Sequence, residues 1–376
     1  MKIASTMPFF PAEDIEWILS RFKEILDGKS FLSQYKYCQE FERAFSNYVG
    51  SKYAVTTSNG TCSLEIIFRC LNLKGYDIIV PANTFAATAF AIMHAGGRPV
   101  FADCCQDLTI NPEDVKRKIT DKTKAIVTVH IGGLVSPKTC ELIDLCKDKE
   151  LYLIEDAAHA HGTMLDGKKA GTFGIAGSFS FFSTKVMTTG EGGMITTDDR
   201  EIYEKALVLR DQAKIRKGIY QNYHEEIGYN WRMTEIQALM GIKQLERLEE
   251  FIKRRCEIAK IFDEKFTDMN DLTPLRTPEN VRHNYYKYIA FLREGINRED
   301  LKKTMKEKYE ISMGGYVYEI PLHQQPAFKE YRTEPLPVSE DLCNRHICPP
   351  IYYQMKDEEV QYVANSITKY LKALKD

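Results

Sequence analysis

From residue 53 to about residue 200 the chain alternates short apolar runs of strand-forming residues with stretches patterned as helix. This alternation restricts the possible folds more than any other feature. YAVTT (53–57) reads as a strand and 63–73 as an amphipathic helix. DIIV (77–80) stops at Pro81, and PVFA (99–102) is another short run. AIVTV (125–129) and LYLI (151–154) are uninterrupted apolar runs, as expected of strands buried on both faces, and helical 139–149 lies between them. Strands alternating with helices predict an α/β fold built on a mostly parallel sheet between helices.

Beyond Asn230 the pattern changes. Thr234-Glu-Ile-Gln237 has the form of a capping box, so a helix should start there. Ile236, Leu239, Met240, Leu245, Leu248 and Ile252 then recur near helical spacing through a long charged helix, the natural bridge to a second unit. In that unit HNYYKYIAFL (283–292) reads as a strand and 357–374 as a closing amphipathic helix. The expected division falls near residue 250: a large α/β domain over 1–250 and a smaller C-terminal α+β domain over 251–376.

Composition removes several classes of function. Lysine and arginine total 51 against 53 aspartate and glutamate, a net charge of −2, which leaves no electrostatic footprint for nucleic acid or an anionic membrane. No run reaches the ~18 apolar residues of a membrane-spanning helix. The opening MKIASTMPFFPAEDIEW has one lysine and no long apolar core, so no signal peptide is expected. The ten cysteines form no CxxC pair and no zinc-type spacing, so no metal is expected; they read as reduced thiols of a cytoplasmic protein.

Four segments fall where an α/β fold places its chemistry, at the carboxyl ends of strands. SNGTCS (58–63) joins a strand to a helix, and its small residues let backbone N–H groups approach a phosphate; a tight turn without ligand reads equally well. EDAAHAH (155–161) follows LYLI directly, and its carboxylates suit either a protonated ring nitrogen or the cap of a following helix. GSFSFFSTK (177–185) is an apolar run ending in Lys185, followed by the glycine-rich VMTTGEGG (186–193) and a second strand-like run, 194–197. A lysine there, facing a turn that a planar group can approach, suits Schiff-base chemistry once partly desolvated. GYNWRM (228–233) precedes the capped helix, and nothing local separates a functional from an ordinary loop role for Asn230 and Arg232.

In this order, SNGTCSL, PANTFAAT, EDAAHAHG, SFSFFSTK with TGEGGMI, GYNWRMTEIQA and PLHQQPAF resemble the DegT/DnrJ/EryC1/StrS aminotransferase family over about residues 18–367. The resemblance implies a fold-type I pyridoxal 5'-phosphate (PLP) enzyme. It matches Lys185 to the lysine that bonds the cofactor and shuttles the proton, and Asp156 to the carboxylate that pairs with the pyridine nitrogen. Phe85 matches the aromatic stacked on the ring, and His159 a position near the ring 3-oxygen. Gly60, Thr61, Cys62 and Ser180 match the phosphate cup. Asn230 matches a phosphate ligand donated by the neighbouring subunit, which implies a homodimer with shared active sites. Tyr318 and His323 fall in the family's substrate-facing segment. The implied reaction takes an amino group from L-glutamate to a keto substrate, in many members a nucleotide-linked keto-sugar.

Several substrate-side positions depart from the family pattern. Tyr35-Lys36 replaces a Gly-Pro pair near the substrate entrance, making both candidate substrate residues, Val317-Tyr318-Glu319 replaces Tyr-Tyr-Pro, and Pro350-Ile-Tyr-Tyr353 replaces Pro-Leu-His-Pro. A small phosphorylated ketone such as dihydroxyacetone phosphate is the alternative acceptor. Lys185 stands where the family's dehydratases carry histidine, and no helix-turn-helix segment of the kind expected in a PLP-binding regulator precedes the fold.

Overall fold

A computed structural model describes residues 1–374. Seven strands form one sheet: β1 (Tyr53–Thr57), β2 (Asp77–Pro81), β3 (Arg98–Ala102), β4 (Thr123–Val129), β5 (Tyr152–Asp156), β6 (Ala176–Ser180) and β7 (Gly193–Thr197). Their spatial order is β1-β7-β6-β5-β4-β2-β3, and every neighbouring pair is parallel except the two that β7 makes. The sheet is thus mostly parallel with one reversed strand, as the continuous apolar runs predict. Ile78, Ile79 and Val80 are all fully buried, and alternate residues enter different cores: Ile78 and Val80 one, Ile79 the other.

Helices cover the sheet. α1 spans Ala12–Glu24, α2 Lys36–Val49, α3 Gly60–Cys70, α4 Ala86–His94, α5 Pro112–Lys118, α6 Thr139–Asp148 and α7 Arg200–Leu209. α8 (Glu235–Phe266) opens on the expected capping box, with Thr234 and Gln237 each accepting from the other's backbone. Residue 250, the expected division, lies inside α8. Up to Ile252 this helix feeds a core with Phe41, Phe45, Phe179 and Phe181; from Ile258 it feeds another with Tyr288, Leu301 and Ile367. α9 (Arg298–Tyr309), α10 (Pro337–Arg345) and α11 (Asp357–Ala373) follow. Ile3 also belongs to that C-terminal core and bridges to Ile311.

The stretch 283–292 differs from its expected form. Only Ala290–Leu292 is a strand, paired with Leu272–Pro274 and His346–Ile347. Upstream, side chains take over the backbone partners: the His283 ring accepts from the Tyr285 N–H at 2.9 Å and Asn284 Oδ1 from the Tyr286 N–H at 2.9 Å. Asn284 Nδ2 donates to the carbonyls of His159 and His161 at 2.8 and 3.0 Å. Such local side-chain bonds compete with a ladder, and here they fasten Tyr286 to the turn that follows β5.

A second long-range tie holds α2. Glu235, fully buried at the start of α8, accepts the N–H groups of Tyr35 (2.7 Å), Tyr37 (2.7 Å) and Cys38 (3.1 Å). A carboxylate from elsewhere in the chain thus supplies the N-terminal cap that α2 lacks locally. Glu235→Ala strands these donors and is expected to cost about 3 kcal/mol of unfolding free energy, with Glu235→Gln costing less because one acceptor remains. Urea denaturation measures both, and equal midpoints for the variants and the parent would remove this role.

Candidate active site

Asp156 ends β5, flanked in the sheet by Val129 of β4 and Ser178 of β6. No helix starts after it: residues 157–163 turn back, so the cap reading finds no helix to serve. Its Oδ2 accepts the Thr88 hydroxyl at 2.7 Å and its Oδ1 the Ala158 N–H at 3.2 Å; Thr84 and Thr88 share a 2.8 Å hydroxyl contact. Burial pushes the Asp156 carboxyl up, and Thr88, the Ala158 N–H and the charges of Lys185 and His130 pull it back only part of the way. Among the described residues no lysine, arginine or histidine forms an ion pair within 4.0 Å of this carboxylate. The adjacent Glu155 has a different task. It meets His130 at 2.8 Å and accepts the N–H groups of Gly171, Phe173 and Gly174, which locks the loop leading into β6.

Lys185 lies in the turn after β6, its N–H bonded to the Phe182 carbonyl at 2.9 Å and its side chain half-buried. Its Nζ stands 4.8 Å from the centroid of the Tyr286 ring, and Tyr286 stacks on His159 at 4.3 Å and 30°. Burial, then the charges of Lys185 and Lys287, hold the His159 pKa well below its usual value, so its imidazole is neutral near pH 7. Its Nδ1 is buried without a hydrogen-bond partner. His161, packed between Phe179 and Phe181, is held to about 3 by burial and by Lys185. Tyr318 is buried as well; burial and then the Asp156 charge keep its hydroxyl protonated.

The turn 58–63 meets the end of β6. Asn59 caps α3 by accepting the Cys62 N–H at 2.9 Å, so the backbone of Gly60, Thr61 and Cys62 forms the helix N-terminus. Ser178 Oγ donates to the Gly60 carbonyl at 3.1 Å. A Cβ on Gly60 would fall 2.9 Å from Ser180 Cβ, so glycine is what lets the helix end and Ser180 sit side by side. Such an end attracts a phosphate through its aligned N–H groups. Phe85, the residue before α4, leaves its ring 66% exposed.

These positions fit PLP: a buried carboxylate seeking a cation, a half-buried lysine acting on it, an unpartnered His159 nitrogen, an exposed flat ring and a helix end pressed against Ser180. The structure brings Asp156, His159, Lys185 and Tyr318 into one cluster, and Gly60, Thr61, Cys62 and Ser180 into another. Four candidates stand apart within the single chain. Asn230 is exposed and bridged by its backbone to Asp211, although the neighbouring Trp231 carbonyl accepts the Ser58 N–H at 2.8 Å. Tyr35 packs edge-on against Phe31 at 4.9 Å, and Lys36 Nζ lies 4.9 Å over the Tyr37 ring. His323 is turned to Glu340 at 2.9 Å. Thr88 and Tyr286 are residues of the cluster that sequence reasoning missed. Thr88 carried a signal, one helical turn after Thr84 within PANTFAAT; Tyr286 was hidden in a segment patterned as strand.

The model of the DegT/DnrJ/EryC1/StrS aminotransferase family matches residues 13–368. The chain belongs to this family. It is 36% identical over 352 residues to the GDP-perosamine synthase of Escherichia coli O157:H7, covering 92% of this chain and 93% of that protein. Among solved structures it is similar to Helicobacter pylori PseC, an aminotransferase involved in the biosynthesis of pseudoaminic acid, with TM-score 0.92 and 29% identity over 99% of this chain and 100% of PseC. The PLP form of the putative sugar aminotransferase Spr1654 from Streptococcus pneumoniae matches with TM-score 0.91 and 25% identity, covering 99% of each chain. The fold is fold-type I, the cofactor is PLP, and this family member is a PLP-dependent aminotransferase. Among the described residues no helix is long and apolar enough to cross a membrane.

Proposed function

We propose that the chain transfers the amino group of L-glutamate to the keto group of a nucleotide-linked keto-sugar, in the cytoplasm, during synthesis of a surface polysaccharide or glycoconjugate. The observation that carries this reading is Lys185 beside the buried, under-compensated carboxylate of Asp156, in a chain aligned almost end to end with a GDP-perosamine synthase. Bound PLP supplies a carbonyl that condenses with amines and a protonated ring that draws electrons from the carbon bearing the nitrogen. Asp156 would pair with the ring nitrogen and keep it protonated. Lys185 Nζ would be the amine that holds the cofactor, and as a free amine its role would be to take the donor's α-proton as general base and return it as general acid. Phe85 would cover one face of the ring, neutral His159 would lie near its 3-oxygen, and Gly60, Thr61, Cys62 and Ser180 would receive the phosphate.

The same reading includes a homodimer with shared sites and a large domain over 1–250 joined to a small one over 251–376. Exposure of Asn230 beside a strand pair, Lys214–Lys217 with Tyr220–His224, that carries exposed Tyr220 supports a contact with a second subunit. Tyr318 and His323 belong to the substrate segment of this proposal, and Tyr35 and Lys36 to its entrance. Tyr35 is 44% exposed, so within the single chain its ring is not walled in. The test is competition: amine-loaded enzyme is offered a GDP- or UDP-linked 4-keto-sugar together with dihydroxyacetone phosphate. The nucleotide sugar should be aminated and the triose phosphate left untouched; amination of the triose phosphate alone would replace the acceptor.

A further inference from the structure

Buried cations are normally paired with carboxylates. Around Tyr286 they are not. Arg255, 4% exposed on α8, donates to the carbonyls of Tyr285 at 3.0 Å and Ile351 at 3.1 Å, and its Nε is buried without a partner. Lys287 is half-buried, with Nζ 5.2 Å from the Tyr286 centroid, and Lys185 Nζ lies 4.8 Å from the same ring. Among the described residues none of these three cations lies within 4.0 Å of a carboxylate oxygen. Asp156 offsets Lys185 in part, but its own role is to face the cofactor nitrogen.

The electrostatics agree with the geometry. Burial alone would raise the Tyr286 hydroxyl, yet Lys185, then Lys287, and further Arg255 bring it below the usual tyrosine value. Burial lowers Arg255 to about 10. An enclosed region with surplus positive charge is an anion site in waiting. The cofactor phosphate is not that anion, because its cup at Gly60–Cys62 and Ser180 is built from other elements and Tyr286 is joined instead to His159.

We propose that Arg255, Lys287 and Tyr286 form the recognition site for the carboxylates of the amino donor, beside the reactive Lys185. The assignment rests on the reading of L-glutamate as donor and deepens it. A dicarboxylate amino acid brings a carboxylate on the very carbon whose proton Lys185 must take, next to these unpaired cations, whereas a nucleotide-linked keto-sugar carries its diphosphate several bonds from the reacting carbonyl. Arg255 acts as the buried member, with an N–H still to be satisfied; Lys287, facing Tyr286 from its other neighbours near Gly315, acts as the adjustable one. Lys287 and Tyr286 here touch the substrate, while the Asn284 bonds to the His159 and His161 carbonyls position them.

The test uses the PLP-loaded enzyme and the variants Lys287→Met, which keeps the packing on Tyr286, and Lys287→Arg, which keeps the charge. Glutarate, a dicarboxylate that cannot react, is titrated by calorimetry, and KM is measured for L-glutamate and for the keto acceptor. Lys287→Met should weaken glutarate binding and raise the L-glutamate KM by about 10-fold or more, as loss of a charge-assisted contact does. Lys287→Arg should recover most of this, and the acceptor KM should move less than about twofold. Unchanged glutarate binding, or an effect confined to the acceptor KM, would overturn the assignment. Arg255→Lys provides a second variant, read in the same titration after its melting temperature has been checked. The donor reading fails separately, when the unsubstituted enzyme binds glutarate yet L-glutamate delivers no amino group.

Discussion

Asp156→Asn should reduce turnover by roughly 10²- to 10⁴-fold at saturating cofactor while leaving the fold intact. The amide is nearly the same shape: its oxygen can still accept the Ala158 N–H, and its NH2 can donate to the Thr88 hydroxyl, which turns to accept, so both contacts that seat the side chain are kept. What is lost is the negative charge that, in the proposed arrangement, keeps a proton on the cofactor nitrogen. Breaking a buried charge pair costs about 3–5 kcal/mol, and about 1.4 kcal/mol corresponds to tenfold in rate. Stability should move the other way. Burial raises the Asp156 pKa, so in the cofactor-free protein folding disfavours the ionised form, and that penalty applies above the carboxyl's unfolded pKa, at neutral pH included. The neutral amide removes it, and cofactor-free Asp156→Asn should melt no lower than the parent. Steady-state rates and thermal denaturation read the two effects. Near-parental turnover would leave Asp156 as a purely structural residue.

Lys185→Ala should be the more severe change, at least about 10⁴-fold. General base catalysis alone contributes about 10²- to 10⁴-fold, and Lys185 is proposed in addition as the nucleophile that holds the cofactor carbonyl. Lys185→Arg should not rescue it, because a guanidinium stays protonated and serves neither as nucleophile nor as base. A small soluble amine such as methylamine should restore a fraction of the rate, since Tyr286, His159 and Asp156 still frame the space that Nζ leaves. A Lys185→Ala enzyme with substantial turnover, or one indifferent to amines and defective only through misfolding, would contradict the role.

The legibility of this chain follows the range of the interactions. Most strands of the sheet were readable to within a residue or two, because burial on both faces forces runs such as AIVTV and DIIV to be apolar throughout, but the run 177–185 is strand only to Ser180. The start of α8 was readable because Thr234 and Gln237 form a local motif. The candidate cofactor residues lie in compact segments at strand ends, so Asp156 and Lys185 could be singled out by their position after β-rich runs. Interactions between distant segments were invisible. Tyr286 reaches His159 only because Asn284 diverts its backbone from the sheet, and the apolar pattern of 283–292 gives no sign of that diversion. Glu235 looks like an ordinary helical glutamate until the N–H groups of Tyr35, Tyr37 and Cys38 are seen to converge on it. His323 has a motif but no local signal for its bond to Glu340 on α10. Arg255 resembles any charged residue of a long helix until its burial without a carboxylate becomes visible.

The central claim is that Lys185 is the residue that bonds the cofactor, and borohydride reduction tests it directly. Reduction of the PLP-loaded enzyme fixes the pyridoxyl group to its lysine, and peptide mapping by mass spectrometry locates it. A single modified peptide containing SFSFFSTK, with the group on Lys185, is expected, and no such peptide when the enzyme is first converted to its amine-loaded state by L-glutamate. Stoichiometric label on Lys287 or on any other lysine, with Lys185 unmodified, would contradict it.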